Sequence, residues 1–479
     1  MPRPGNVSAL APWLRGLACC FGSLGLFGCA GFQAVNQPIT QITPEQGYRQ
    51  FTKPVPDGGG AVWLALAFSG GGTRAAAFAY GVLEELRATQ VVLDGQSTRL
   101  LDEIDTISAV SGGTFPAAYY GLFGDRIFED FESKFLYRNI QRSLILEALR
   151  PKNLVRLLSP SFSRSLLAME YYDRKVFDGA TFADLQAAPG PHVHINATDL
   201  SHGFRFTFNQ GQFDVICSDL DSLPVSAAVA ASSAVPVLLS PITLKNYAGT
   251  CGFQSPGWIQ ESLGTRSTNR RRYEAALSFV DFANADTRPY IHLIDGGIAD
   301  NLGLRYSIEL AEAIGGADRF LDIVEREPPD HFVVIVVNAE TAPNPGIDMS
   351  SASPSFASLM NSVSGSQIRR YNLETLLLTE ISLTQWAEIL SEKSGKRVDA
   401  RLIEIDFDSI PQKQSRDYFK LIPTSFVLSD QTVDDLKTAG RELLRANPIF
   451  QEFLQNLEPA HPAPPSKIPT EPAPIWPEG

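Results

Sequence analysis

Residues 105–121, DTISAVSGGTFPAAYYG, decide how this chain folds. The stretch reads as a short buried strand over residues 104–110, a serine at a turn, and a helix that starts at once. Ile107 and Val110 are β-branched, and the apolar run is short and bounded. Gly112 and Gly113 permit a tight turn that a side chain would obstruct. A serine on such a turn is held out at the top of a sheet, facing the free N–H groups that open the helix. This is the pattern of a nucleophile elbow, usually G-x-S-x-G. Here it is Ala109-Val110-Ser111-Gly112-Gly113, with alanine in the first position. Ser-Gly-Gly at a strand-to-helix turn is also an ordinary structural turn, so its neighbours must decide.

Upstream, LALAFS over residues 64–69 is a second buried-strand run. It leads into Gly70-Gly71-Gly72-Thr73-Arg74 and then a helical pattern over residues 75–86. Successive glycines let backbone N–H groups point into one concavity, which suits an anion or an oxyanion. Downstream, residues 291–294, IHLI, form a further strand ending in Asp295-Gly296-Gly297. A carboxylate therefore sits at a strand's C-terminal end, where ligands gather in open α/β sheets.

The order GGGTR, AVSGG, DGG resembles the patatin-like phospholipase family. Between the second and third motifs, PVSAAVAASSAVP over residues 224–236 looks like that family's small-residue helix ending in proline, and HINATD over 194–199 fits as a strand. The resemblance covers residues 61–338 and, more loosely, the chain to 457. It implies a three-layer α/β/α fold with a central, mostly parallel sheet, and a serine–aspartate dyad that hydrolyses lipid or phospholipid esters. Carried over, Ser111 is the nucleophile and Asp295 the base. Gly70, Gly71 and Gly72 form the oxyanion hole, with Arg74, Gly113 and Gly297 in support. No metal or organic cofactor is implied.

The 479 residues carry a net charge of −13, with 44% hydrophobic and 19% charged residues. That composition is ordinary for a globular protein. The acidic balance argues against nucleic acid, which needs a basic footprint, and against simple electrostatic adhesion of the whole chain to anionic lipid. Residues 1–28 read as an export signal: Arg3 and Arg15, no acid, and an apolar stretch of residues 17–28, too short to span a bilayer. Leu26-Phe27-Gly28-Cys29 resembles the lipobox of bacterial lipoproteins, in which the cysteine becomes the lipidated first residue. Ala30 after it is compatible with an outer membrane facing the periplasm or the surface; the alternative is a periplasmic or secreted protein. Residues 29–60 read as a tether. Residues 61–457 read as the hydrolase domain, and residues 458–479, with eight prolines, as a disordered tail.

Within the body, strand and helix patterns alternate, which argues for a parallel or mixed sheet covered on both faces. Residues 128–150 read as a helix broken by Pro151, and residues 153–168 carry a second apolar patch. Either these segments pack on the sheet or they present a lid or lipid-facing surface; an apolar stripe serves both. Residues 247–286, including Arg270-Arg271-Arg272, read as a long surface loop. Residues 332–338, FVVIVVN, are the clearest buried strand, and residues 401–407 an edge strand. Cys217 and Cys251 flank the small-residue helix; in an oxidising compartment they either bridge or stay as buried thiols.

Several rivals are weaker. His192 and His194 share a strand face but match no metal-site spacing. The first glycine loop satisfies G-x-G-x-x-A, yet the next strand ends in Ser111 rather than the acid a dinucleotide site requires. A Ser–His–Asp triad esterase would have Ser111, Asp199 or Asp214, and His292 in the right order. A lipid-tethered binding protein without activity is the remaining alternative. Oligomeric state is not legible.

Overall fold

The computed structural model describes residues 34–49, 61–93, 95–159, 161–236, 238–323, 326–341 and 347–457. The export signal, Cys29 and the proline-rich segment lie outside the described residues. Strand Val62–Phe68 (β1) sets the layering. Val62, Leu64, Leu66 and Phe68 point into the main core on one face. Ala65 and Ala67 point to a smaller apolar cluster on the other. This period of two on a strand buried on both faces is what a central position in a parallel sheet requires.

The other strands of the central sheet are Ile104–Val110 (β2), His192–Asp199 (β3), Arg205–Thr207 (β4), Ile242–Lys245 (β5), Tyr290–Ile294 (β6), His331–Asn338 (β7) and Asp399–Asp406 (β8). Their order is β8-β7-β1-β2-β3-β6-β5, with β4 paired to β3. From β8 to β3 all pairings are parallel. β6 runs antiparallel to both β3 and β5. The helices used below are Thr73–Ala88 (α1), Thr114–Phe123 (α2), Ile140–Ala148 (α3), Pro151–Leu157 (α4), Arg164–Lys175 (α5), Val225–Ser232 (α6), Arg305–Ile314 (α7), Phe356–Ser394 (α8) and Asp430–Ala446 (α9). α1, α2, α6 and α9 bury their apolar residues in the main core. Leu304 and Leu383, the latter from α8, cover the opposite face. The result is the three-layer α/β/α arrangement. No helix among the described residues is long and apolar enough to cross a membrane.

Four readings change. Residues 34–49, part of the expected tether, lie against the body. Asn36 Nδ2 donates to Ser218 Oγ (2.9 Å), and fully buried Tyr48 donates to Val193 O (3.0 Å). A buried Tyr and Asn with satisfied partners explain what composition alone could not. The expected loop over residues 247–286 holds helices Gly257–Leu263 and Arg270–Phe282. The second is capped by the Asn269 side chain, whose Oδ1 accepts from Arg272 N at 3.0 Å. The segment after Phe128 is broken earlier than Pro151, by a π turn at Glu132–Leu136. Residues 353–379 and 382–391 each carry a helical pattern that predicts two helices, yet one helix, α8, runs through both.

Cys217 and Cys251 form a disulfide across 34 residues of sequence. Closing a loop of that length stabilises the fold by about 3–4 kcal/mol in the chain-entropy account. Peptide mapping of the unreduced protein should recover the two cysteines in one linked peptide. Recovery as two separately alkylated peptides would contradict the bridge.

Candidate active site

β2 ends at Val110, and the chain turns through Ser111–Gly113 directly into α2. Ser111 has φ 49°, a left-handed conformation rare for a residue with a side chain. Such strain costs on the order of 1–3 kcal/mol and persists only where the surroundings over-determine it. Here the surroundings do so from both ends. Ser111 N donates to Ser232 Oγ at 2.9 Å, and Ser111 O accepts from Thr114 Oγ1 at 2.6 Å. Ser232 Oγ in turn donates to Asn196 O at 2.5 Å. Ala109, in the position where glycine is usual, is completely buried, so its methyl group is accommodated.

The freed side chain points at the end of β6. Ser111 Oγ donates to Asp295 Oδ2 at 2.8 Å, and Asp295 Oδ1 accepts from Gly297 N at 2.8 Å. The Asp295 main chain is held as well: its N–H donates to Ala234 O (3.1 Å), and its carbonyl accepts from Thr198 Oγ1 (2.8 Å). Ser111 and Asp295 are 3% and 9% exposed. Burial pushes the Asp295 carboxyl up to about 6, partly offset by the Gly297 N–H and the Ser111 hydroxyl. Asp300, sealed nearby, is raised by burial to about 6 as well; its oxygens accept from Gly303 N (3.1 Å) and Arg305 N (2.8 Å).

The glycine loop packs directly on the elbow. A Cβ on Gly112 would lie 2.1 Å from Gly72 O and 2.6 Å from Gly72 N, so only glycine allows this approach. Gly113 makes a similar approach to the backbone of Ser69. Gly70 departs from its expected part, because its N–H donates to Asn301 O at 3.1 Å. Gly71 and Gly72, at φ 148° and 61°, have N–H groups that make no hydrogen bond among the described residues. Arg74 is buried and braces the loop. Its Nε donates to Ala339 O (3.0 Å) and its Nη1 to Ile422 O (2.7 Å), while Nη2 lies against Gly71. Burial lowers its pKa to about 10, so it remains charged at neutral pH.

The triad alternative does not assemble. His292, expected inside an apolar strand, faces out from β6 and pairs through Nδ1 with Thr243 Oγ1 at 2.9 Å. Asp199 is held by Arg288 (2.6 Å) and Asp214 by Arg49 (2.7 Å). His192 and His194 are buried in a stack, with ring centroids 4.2 Å from Tyr48 to His192 and 4.3 Å from His194 to Tyr306. Burial lowers His194 to about 3. Among the described residues, no three His, Cys, Asp or Glu side chains come together as a metal-ligand set. A cleft of about 600 Å³, lined in part by Arg205, Trp258, Arg305 and Tyr371, includes neither Ser111 nor Asp295.

Three residues at the site had no role in the sequence reading. Ser232 locks the elbow, Asn196 supports Ser232, and Asn301 lies between Gly70 and Gly297. Ser232 did leave a signal: with Ser226 it is one of two polar residues in a buried helix otherwise built of alanine and valine.

A model of the patatin-like phospholipase family matches residues 66–308, just over half of the chain. No curated protein matches it in sequence. Among solved structures, human GIVD cytosolic phospholipase A2 is similar at a TM-score of 0.41 and 12% identity, over 90% of this chain and 68% of that one. VipD from Legionella pneumophila is similar at a TM-score of 0.28 and 12% identity, over 86% of this chain and 72% of the other. On the family match, which spans the glycine loop, the serine elbow and the Asp295 turn, the chain belongs to the patatin-like phospholipase family.

Proposed function

We propose that this protein is a serine acyl hydrolase that cleaves ester bonds of lipids, of phospholipase A or lysophospholipase type, through a Ser111–Asp295 dyad. The observation that carries the reading is the 2.8 Å hydrogen bond from Ser111 Oγ to Asp295 Oδ2, made by a serine on a left-handed turn beside a glycine loop. As Ser111 Oγ attacks the ester carbonyl, its proton passes to Asp295, and the carbonyl oxygen gains negative charge. The Gly71 and Gly72 N–H groups receive that charge, and Arg74 holds their loop rigid. Collapse of the intermediate expels the alcohol, which takes the proton from Asp295. Water then attacks the acyl-enzyme, giving a proton to Asp295. Release of the fatty acid returns that proton to Ser111.

A fluorophosphonate probe tests the reading. Mass spectrometry should find the adduct on Ser111, and labelling of another serine, or of none, would overturn it.

On the Leu26–Cys29 motif we propose that Cys29 carries a lipid anchor that holds the protein on the outer membrane. Membranes washed with high salt should keep the wild type and release Cys29→Ala. Equal retention of both would refute the anchor.

A further inference from the structure

We infer that the hairpin of α3 and α4 is a docking surface for a phospholipid bilayer bearing anionic headgroups. In these two helices the usual amphipathic arrangement is reversed. Ile145, Leu146, Leu149, Leu154, Val155 and Leu158 all face solvent, Leu149 at 64% and Leu158 at 82% exposure. Ile140, Glu147 and Asn153 face the protein instead. The inward polar groups are satisfied: buried Glu147 pairs with Arg150 (3.1 Å) and Arg174 (3.8 Å), and Asn153 Nδ2 donates to Glu147 O (2.9 Å). The hairpin is therefore held in this orientation by the Asn153–Glu147 hydrogen bond and by the Glu147 ion pairs, one of which ties it to α5. Six large apolar side chains crowded onto two short helices and the leucines that end them, Leu149 and Leu158, mark an interaction site rather than scattered surface leucines.

Charge selects the occupant. The whole chain is at −13, yet residues 138–164 carry six arginines or lysines and one acid. That acid, Glu147, is turned inward. Arg138, Arg142, Arg150, Lys152 and Arg164 are exposed around the leucines. An apolar patch ringed by cations, on an otherwise acidic protein, fits an interface of acyl chains under anionic headgroups. A second copy of this chain would bring the same cations against each other. The surface also reaches the site: α3 packs on α5, and α5 on α6, which carries the Ser232 hydroxyl that locks Ser111. As a route for substrate, this surface rests on the hydrolase reading; as a docking surface it does not.

The test uses the full chain with Cys29→Ala, so that no lipid anchor contributes, and sedimentation with vesicles of phosphatidylcholine alone or mixed with phosphatidylglycerol. The parent should bind the mixed vesicles more tightly, and added salt should weaken that binding. Leu146→Ser, Leu149→Ser, Leu154→Ser and Leu158→Ser together should lower the partition coefficient by at least about 100-fold, since each loses several buried carbons. Arg142→Gln, Lys152→Gln and Arg164→Gln together should erase the preference for phosphatidylglycerol. Hydrolysis of a water-soluble short-chain ester should be the same in all variants, whereas hydrolysis of vesicle lipid falls with binding. Unchanged sedimentation of the leucine variant would overturn the inference. So would a parent that is dimeric in solution and becomes monomeric in that variant. If binding is lost as expected but no form cleaves either ester, docking stands and the hydrolase reading fails.

Discussion

Ser111→Ala should abolish ester hydrolysis, with kcat falling by at least about 10⁴-fold, because no other group can form the acyl-enzyme. Fluorophosphonate labelling should vanish with it. The fold should survive. The hydroxyl contributes one hydrogen bond to a buried carboxylate, worth about 1.5–3 kcal/mol. The turn itself is held by main-chain contacts to Ser232 and Thr114 that alanine retains. Circular dichroism should be unchanged while turnover is lost. A variant that keeps more than about a tenth of wild-type activity would remove Ser111 from the mechanism.

Asp295→Asn should lower kcat by about 10³- to 10⁴-fold, because an amide can accept the Gly297 N–H but cannot take the Ser111 proton. The wild-type pH profile should follow the same group. With the Asp295 carboxyl raised by burial to about 6, kcat/KM should rise through about pH 6 and level above it. At pH 5 it should stand about tenfold below the plateau. Stability should run in the opposite direction. A carboxyl raised from 3.8 to about 6 binds its proton more tightly in the folded state. Its penalty is therefore absent below about pH 4, grows as pH rises to about 6, and is constant above, at about 3 kcal/mol. Asp295→Asn removes that penalty. Its unfolding free energy at pH 7 should equal or exceed that of the wild type, and the difference should shrink at pH 4. An active Asp295→Asn enzyme, or an activity profile flat from pH 5 to 8, would rule out Asp295 as the base. His292→Ala should be close to neutral in both respects, since its ring lies on the exposed side of β6.

The strands were legible because each is a short run of β-branched and aliphatic residues. Residues 332–338 and 104–110 are buried on both faces, so they read without ambiguity. The site motifs were legible for a different reason. Each sits at a strand's C-terminal end, where glycine and a polar residue interrupt an apolar run. The helices over residues 257–282 were missed because glycine, serine, threonine and asparagine there resemble a loop, and Asn269 is in fact a helix cap. The break near Glu132 was missed because a π turn leaves no mark in hydrophobic periodicity.

The amino-acid sequence alone determined the α/β layering and the places of the serine turn, the glycine loop and the Asp-Gly-Gly turn at strand ends, because these depend on local backbone demands that only certain residue types meet. Tertiary structure decided which of several acids faces Ser111, and which glycine N–H groups remain open. Asp199, Asp214 and Asp295 look alike along the chain, but Arg288 and Arg49 hold the first two elsewhere. Gly70, Gly71 and Gly72 look equivalent, but Asn301 occupies the N–H of the first. Ser232 is 121 residues from the serine it locks. Such choices depend on partners brought together from distant segments, and a linear pattern carries no record of which pairs will meet.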